Sequence, residues 1–329
     1  MNLLTDVPGL QVGHAQDEKL ASGVTCVLFD EPAVASISIQ GGAPGVRDGA
    51  LLEADMSVEK VNGLVLSGGS AFGLDAMGGV QGFLREQGRG FRIANAIVPI
   101  VPGAIIFDLS NGGDKNWDRR PPYWDLGYEA AVAARSGSFG LGTIGAGYGA
   151  TTANLKGGLG SASVRTPAGF TVAAIVAVNA VGCATVGEGP HFWAAPYEQN
   201  GEFGGLGLPS AFPPEALRPR IKTADPANTT IAIVATDARI SKGQAKRLAV
   251  MAHDGMARAL RPSHAPFDGD LVFAAGTGTH PERIDLAALG EIGLAMGDVL
   301  ARAIARGVYE AMALPFPKAL PGWKDRFGR

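Results

Sequence analysis

The sequence has little cysteine, few aromatic side chains and little charge. Only 2 of its 329 residues are Cys, 7% are aromatic and 18% are charged, and the formal net charge is −3. Cys26 and Cys183 lie in apolar runs, which predicts two reduced core thiols and argues against a small disulfide-stapled scaffold. A near-neutral balance without a Lys/Arg tract argues against nucleic acid as a partner.

The chain also lacks a long uninterrupted apolar run. Its longest apolar stretch, Ile93 to Leu109, is interrupted by Pro99 and Pro102 and is too short to span a bilayer. The first residues, MNLLTDVPGLQVGH, contain neither a basic n-region nor an apolar h-region, so no secretory signal is predicted. We therefore expect a soluble, cytoplasmic protein without a membrane partner.

Glycine, by contrast, is abundant, with 48 residues against 21 prolines. No G-X-Y period exists, which excludes collagen, and a hydrophobic fraction of 46% with low charge argues against disorder. Nine glycines fall between Gly137 and Gly160, a density too high for a regular element. They predict loops in which the backbone comes close to a site.

Strand-like and helix-like segments alternate, which predicts an α/β or α+β fold of stacked layers. The length allows one large domain or two ordinary ones, and we expect a single catalytic domain, residues 1–329. The helices are predicted at 74–87, 128–136, 241–260 (with Ser241 as N-cap) and 285–313. The strands are predicted at 24–30, 34–40, 61–67, 169–179, 229–237 and 270–275, and the proline-split 95–109 is predicted to hold two short strands, or a strand and a loop.

Two glycine motifs point to other chemistries but lack the required context. Gly140-Leu-Gly142-Thr-Ile-Gly145 matches G-x-G-x-x-G and leaves a nucleotide-binding oxidoreductase as an alternative, yet no strand leads in and no helix follows, as that motif requires. Ser70, in SGGSAFG, lacks the second glycine of a nucleophile elbow, and a structural turn is the better interpretation. No cofactor is predicted.

The five histidines form no H-x-x-x-H or H-E pair, so a zinc site has little support. His264 lies close in sequence to Asp268-Gly-Asp270, whose carboxylates are suitable ligands for a hard cation. Carboxylates at the start of a strand more often form turns or orient a catalytic group. No metal is predicted.

The junction between Asn228 and Thr229 carries a more specific hypothesis. A long irregular stretch ends there and a buried-type strand begins. If this peptide bond were cut, Thr229 would carry a free α-amino group beside its own hydroxyl, and such an amine has a pKa of about 7.7–8.0. The amine can then act as the base for the Thr229 Oγ. An ordinary threonine at the start of a strand is the alternative.

Six segments, in this order, resemble a family of self-cleaving hydrolases: TDVPGLQVGHA, VNGLVLSGGSAFGLDA, IVPIVPGAIIFDL, AAIVAVNAVG, NTTIAIVATDA and FDGDLVFA. The family comprises the L-aminopeptidase/D-amidase-esterases, the β-peptidyl aminopeptidases and the nylon-oligomer endo-hydrolases (the DmpA/NylC family). The resemblance implies an αββα four-layer, Ntn-hydrolase-like sandwich. It also implies a homo-oligomer, such as a tetramer of cleaved protomers.

The resemblance further implies autocleavage between Asn228 and Thr229. The products would be an α-type fragment, residues 1–228, and a β-type fragment, residues 229–329, that stay associated. Thr229 would be the nucleophile of the mature enzyme.

Four other residues match positions of the family site. Lys156, in NLKGG, matches the family lysine near the nucleophile. Asn179 matches the asparagine that helps to bind the developing oxyanion. Asp268 and Asp270 match an acidic pair near the nucleophile.

The choice of branch rests on a few residues. Thr229 and the Asp-Gly-Asp pair resemble the nylon-oligomer branch, since the aminopeptidase branch tends to use Ser and a Ser-x-Glu pair. Phe107, expected in the substrate pocket, stands where the nylon-oligomer branch carries a tyrosine, which affects substrate preference or rate and leaves a non-catalytic paralogue as an alternative. We expect a hydrolase of linear or cyclic amide oligomers or small peptides, with an aminopeptidase, D-amino-acid amidase-esterase or β-peptidyl aminopeptidase as the alternative.

Overall fold

Strands and helices alternate in the computed structural model, which describes residues 1–222 and 228–328. The α-helices are α1 (Ala76–Glu86), α2 (Tyr123–Val132), α3 (Lys242–Ala259), α4 (Leu286–Tyr309) and α5 (Trp323–Phe327). The strands are β1 (Leu10–Asp17), β2 (Ser22–Ile39), β3 (Val46–Arg47), β4 (Lys60–Ser67), β5 (Phe91–Ile93), β6 (Ala96–Val98), β7 (Gly103–Ile105), β8 (Gly158–Arg165), β9 (Thr171–Asn179), β10 (Thr229–Thr236) and β11 (Leu271–Gly276).

The long strand β2 joins the two halves of the sheet. The first half of β2 pairs with β1 and β4, and its second half pairs with β11. Its register against β4 shifts between Leu28 and Ala33, which marks a bulge where the strand bends. The sequence predicts two strands here, whereas the chain continues through the bulge as one.

Within the described residues, nine strands form one mixed sheet in the order β3-β7-β4-β2-β11-β10-β9-β8, with β1 paired to β2. β10 runs parallel to β11 and antiparallel to β9. β5 and β6 form a separate hairpin. The strand that begins at Thr229 is therefore hydrogen-bonded on both sides.

The sheet forms two leaflets around an apolar core. Ile231 and Ile233 of β10 pack between the leaflets with Phe29 of β2, while Ala232 and Val234 pack on the other face, in the core cluster that includes α3 and α4. Helices α1 and α2 cover the opposite leaflet. The layers are helix, sheet, sheet and helix, which confirms the predicted αββα arrangement.

The helix boundaries follow local capping. Ser241 accepts a hydrogen bond from the Gln244 nitrogen and so caps α3 as predicted. Asp285 caps α4 in the same way. Helix α2 begins at Tyr123, five residues earlier than the sequence predicts. No helix of the described residues is long and apolar enough to cross a membrane.

The long strands β1 and β8 and the short strands β3 and β5 escape the sequence analysis. β8 begins inside the glycine-rich segment 137–160. Helix α4 packs directly against the backbone of these first residues, which leaves room only for glycine. A Cβ atom on Gly158 would lie 2.3 Å from the Gly307 carbonyl oxygen, and one on Gly160 would lie 1.8 Å from that of Ala303. These glycines allow helix α4 to pack close to β8, and the small residues of α4 allow the same close approach from the helix side. Gly142 forms an isolated bridge to Leu159.

Candidate active site

Three strand ends bring Asn179, Thr229 and Gly269 together. Thr229 is the first residue of β10 and pairs with Asn179, the last residue of β9. Gly269 lies just before β11, and a Cβ atom on it would stand 2.6 Å from the Thr229 Oγ1. Strand pairing therefore collects residues that are about 40 to 90 positions apart in sequence.

The Thr229 side chain contacts the carbonyl group of the residue before it. Its Oγ1 donates to the Asn228 carbonyl oxygen, and the Gly269 nitrogen donates to the same oxygen at 2.8 Å. Asn228 and Thr229 are both buried. A hydroxyl beside a carbonyl that accepts a backbone N–H suits nucleophilic attack, because the N–H stabilises the negative charge that develops on the oxygen.

Asp270 is fully buried and uses both of its carboxylate oxygens. Its Oδ1 accepts from the Thr230 nitrogen at 2.7 Å. Its Oδ2 accepts from the backbone nitrogen of His264 and lies the same 2.9 Å from the His264 Nδ1. These contacts satisfy a carboxylate, which only accepts.

Asp268 is also buried, but its surroundings differ from those of Asp270. Neither of its carboxyl oxygens has a hydrogen-bond partner within the described ranges 1–222 and 228–328. Burial and the nearby Asp270 carboxylate raise the pKa of Asp268 to about 8, and the Lys222 ammonium partly opposes them. Asp270 thus holds the backbone and His264, while burial and the neighbouring carboxylate favour the protonated form of Asp268.

Lys156 is buried beneath the glycine-rich segment. Its Nζ donates to the carbonyl oxygens of Gly147 at 3.0 Å, Ala150 at 2.8 Å and Gly157 at 2.9 Å. Burial lowers the pKa of Lys156 to about 7, against the opposing effect of the Asp108 carboxylate. Three acceptors use all three protons of an ammonium, so this lysine holds the glycine-rich backbone in place.

Asn179 links β9 to the chain around it. Its Nδ2 donates to the Phe107 carbonyl oxygen at 2.9 Å. Its Oδ1 accepts from the Thr151 nitrogen at 3.0 Å and from the Lys222 Nζ at 3.2 Å. An amide nitrogen carries two hydrogens, and the oxyanion role predicted for Asn179 requires the second.

A cavity of about 580 Å³ opens beside Asn228 and Phe107. The glycine-rich segment contributes Thr151 to Ala153 and Lys156 to its wall, but none of the nine glycines of 137–160 is among the lining residues. The charged residues of the lining are Lys156, Arg220, Lys222, Lys318 and Asp108. A second cavity of about 720 Å³ is lined by Cys183 and much of 209–221, and by none of the predicted catalytic residues.

Sequence reasoning missed the contribution of Gly269 and weighed His264 only as a ligand for a cation. Gly269 and His264 both lie within seven residues of Asp270. Only the folded structure shows that Gly269 contacts the Asn228–Thr229 junction and that His264 contacts the Asp270 carboxylate. Their sequence signal is the short run from His264 to Asp270. Within the described residues, no group of three or more His, Cys, Asp or Glu side chains is arranged to hold a metal ion.

The comparison with known families decides the class. A family model described as peptidase family S58 matches residues 2–319. The chain belongs to peptidase family S58. It is therefore a hydrolase of amide bonds of the aminopeptidase type.

Relatives of this S58 chain include proteins named for two activities. An uncharacterized aminopeptidase of Mycobacterium tuberculosis (strain ATCC 25618 / H37Rv) is 42% identical, over 99% of this chain and 98% of that protein. The 6-aminohexanoate-oligomer endohydrolase of Agromyces sp. (strain KY5R) is 28% identical, over 85% of this chain and 75% of that protein. Sequence identity is thus higher to the protein named an aminopeptidase.

Solved structures share the fold of the S58 chain. The L-aminopeptidase D-Ala-esterase/amidase from Ochrobactrum anthropi superposes with a TM-score of 0.71 at 20% identity, covering 99% of this chain and 91% of that one. A Burkholderia sp. beta-aminopeptidase gives a TM-score of 0.70 at 17% identity, with 99% and 92% covered. The first is described as a variant of the Ntn-hydrolase fold, which confirms the predicted fold class.

Proposed function

We propose that this S58 chain is an autoprocessed amide hydrolase whose nucleophile is Thr229, exposed by cleavage of the Asn228–Thr229 bond. The observation that carries the proposal is the carbonyl oxygen of Asn228, which accepts from both the Thr229 hydroxyl and the Gly269 N–H. The neighbouring Asp268, with its pKa raised to about 8, supports the proposal because it supplies a proton-exchanging group.

The first reaction is an N→O acyl shift. The Thr229 Oγ1 adds to the Asn228 carbonyl carbon while the Gly269 N–H stabilises the oxyanion. The hydroxyl proton passes through Asp268 to the nitrogen, the C–N bond breaks, and an ester remains on Oγ1 beside a free α-amino group. Water then hydrolyses the ester to an Asn228 carboxylate and a regenerated Thr229 hydroxyl.

The same groups serve each later substrate. The freed α-amino group of Thr229, with a reference pKa of about 7.7–8.0, takes the hydroxyl proton as Oγ1 attacks the substrate carbonyl. The Gly269 N–H and the second hydrogen of the Asn179 Nδ2 stabilise the oxyanion. Lys156 keeps the glycine-rich wall in place through its three carbonyl contacts.

For the substrate we propose linear or cyclic amide oligomers or small peptides. The 28% identical relative named a 6-aminohexanoate-oligomer endohydrolase supports the oligomers. The lining of the 580 Å³ cavity supports this choice, since Lys222, Lys318 and Arg220, the last of them paired with Glu188, outnumber its one acidic side chain, the buried Asp108. Such a lining favours a chain that ends in a carboxylate over a substrate ammonium.

A second candidate is an aminopeptidase, a D-amino-acid amidase-esterase or a β-peptidyl aminopeptidase. The 42% identical relative named an aminopeptidase favours it. Initial rates on 6-aminohexanoate oligomers, on L- and D-alanine p-nitroanilides and on a β-alanyl p-nitroanilide separate these candidates. A preference for the oligomers supports the first, and a strict need for an α- or β-amino group supports the second.

We further propose that the fragments 1–228 and 229–329 stay together as one catalytic domain and that cleaved protomers form a homo-oligomer, such as a tetramer. Strand β10 lies between β9 and β11 with all eight of its residues buried, so its release would break two ladders. Native mass spectrometry gives the stoichiometry, and separation of the fragments at neutral pH without denaturant would contradict the proposal.

Intact mass and N-terminal sequencing test the nucleophile and the cleavage site. We expect the wild type to yield fragments 1–228 and 229–329, and Thr229→Ser, which keeps a hydroxyl, to yield the same pair. Thr229→Ala lacks the hydroxyl and should remain one chain without activity. An active wild-type preparation that contains only the uncut chain would overturn the proposal.

A further inference from the structure

His264 contacts the buried Asp270 twice. Its backbone nitrogen and its Nδ1 each lie 2.9 Å from the Asp270 Oδ2. Because an ionised carboxylate only accepts hydrogen bonds, the His264 Nδ1 must carry a hydrogen. The Asp270 side chain is 0% exposed and that of His264 is 23% exposed, so the imidazole lies between the carboxylate and solvent.

The other oxygen of Asp270 extends these contacts toward the proposed nucleophile. Its Oδ1 accepts from the Thr230 nitrogen at 2.7 Å, and Thr230 directly follows Thr229. The imidazole, the carboxylate and this backbone N–H thus form a continuous chain that ends one residue from the Thr229 hydroxyl. Hydrogen bonds to an ionised group are short and strong, so displacement of the imidazole would move the backbone at the junction.

His264 itself is held in an uncommon conformation. Its φ is +58°, in the left-handed region that non-glycine residues seldom occupy. Its ring packs edge-on against His253 of α3, with centroids 4.9 Å apart. The His253 Nε2 in turn lies 3.0 Å from the Ser38 carbonyl oxygen. Such a conformation persists only where the surrounding contacts enforce it.

From these contacts we infer that His264 is a positioning residue: its backbone and ring nitrogens hold Asp270, and through Asp270 the Thr229–Thr230 backbone. The inference rests on the proposed function, because it requires Thr229 to be the nucleophile. It assigns to this histidine a role in the reaction instead of the metal-ligand role considered from sequence.

The titratable side chains in contact with His264 come from two sides: Asp270 precedes β11, and His253 belongs to α3. Burial lowers the pKa of His253 to about 4, so that ring is neutral across the working range.

Two substitutions separate the side-chain donor from the rest of the ring. His264→Asn keeps an N–H donor near the Nδ1 position and tolerates a left-handed backbone. His264→Gly accepts the same backbone and removes the donor. His280→Asn is the matched control, because His280 lies beyond the opposite end of β11.

The readouts are the rate of self-cleavage and kcat and KM from pH 5 to 8, on whichever oligomer or p-nitroanilide the wild type hydrolyses. We expect His264→Gly to lower kcat roughly 10- to 100-fold with little change in KM, as when a reacting group is displaced. His264→Asn keeps the donor and should stay within about threefold of the wild-type kcat. Added imidazole should partly restore His264→Gly, and His280→Asn should match the wild type.

Wild-type kcat in both His264 variants would overturn the inference. So would equal losses in the Asn and Gly variants without imidazole rescue. If His264→Gly does not fold, the kcat of His264→Asn decides, and a loss of about tenfold or more there would overturn the inference. A wild type that neither cuts itself nor hydrolyses an amide would instead contradict the proposed function, so the two failures are distinct.

Discussion

The backbone nitrogen of Gly269 lies 2.8 Å from the carbonyl oxygen of Asn228, across the pairing of two parallel strand ends. Gly269 stands between the two carboxylates that the sequence singles out. A Cβ atom on it would lie 2.6 Å from the Thr229 Oγ1 and 3.0 Å from the Ala43 carbonyl oxygen. The site therefore requires glycine there, because any side chain would meet the hydroxyl.

Gly269→Ala should slow both self-cleavage and turnover by at least about tenfold, since the methyl group displaces the Thr229 hydroxyl. The time course of fragment formation on a denaturing gel checks this. The matched control is Gly290→Ala in α4, where a Cβ atom meets nothing within 4 Å and alanine adds about 0.5–1 kcal/mol of helix stability. Normal cleavage in Gly269→Ala would contradict the close contact.

Asp268 gives a pH dependence of stability with a definite sign. Its folded-state pKa is raised from 3.8 to about 8, so the folded chain binds this proton more tightly than the unfolded chain does. Its stabilising contribution is full below pH 4 and is lost as the pH rises from about 4 to 8. Asp268→Asn removes this loss. The melting temperature of the variant minus that of the wild type should therefore increase from pH 5 to pH 8. A constant difference across that range would disprove it.

Lys156→Met tests whether this lysine acts on the backbone or on the reaction. The substitution leaves three carbonyl acceptors without their donor, and each buried unsatisfied group costs about 1–3 kcal/mol. We expect a lower melting temperature together with lost activity, whereas the exposed Lys60→Met should change neither. A variant of unchanged melting temperature that has lost only kcat would favour the catalytic role that the family resemblance implies.

The ion pair of Arg302 and Glu202 ties α4 to the irregular segment before the junction. The Arg302 Nε lies 2.6 Å from a Glu202 oxygen, and their side chains are 2% and 7% exposed. Arg302→Ala in the uncut Thr229→Ala background should cost about 3–5 kcal/mol, because it leaves a buried carboxylate with less compensation. Arg120→Ala, at the exposed pair with Asp125, should lower the free energy of unfolding by less than about 1 kcal/mol. Urea titration of both variants in this background measures the two losses.

Phe107→Tyr adds the phenol that the nylon-oligomer branch carries. Phe107 lines the cavity while its carbonyl oxygen holds the Asn179 amide. The backbone contact survives the substitution, so self-cleavage should be unchanged, and kcat/KM for oligomers relative to alanine p-nitroanilide should rise. An unchanged ratio would show that the ring does not contribute to substrate choice.

Local patterns in the sequence predict most of the elements. Apolar β-branched runs mark β9 and β10, and the Ser241 cap fixes the start of α3, because these signals depend only on neighbouring residues. β8 escaped prediction because its first residues are glycines selected for contact with α4, not for strand propensity. α2 begins early because Tyr123 is buried against α1, and a tertiary contact of this kind has no local signal.

The sequence by itself determined the family, the fold class and the residues around the junction, because motif order and apolar periodicity are properties of the chain alone. Only the tertiary structure decided what each residue contacts. Pairing of β9, β10 and β11 places Asn179 and Gly269 beside Thr229. The Lys156 ammonium donates to the glycine-rich backbone, and the His264 ring contacts the Asp270 carboxylate. Such contacts depend on strand register and burial, which no single stretch of sequence encodes.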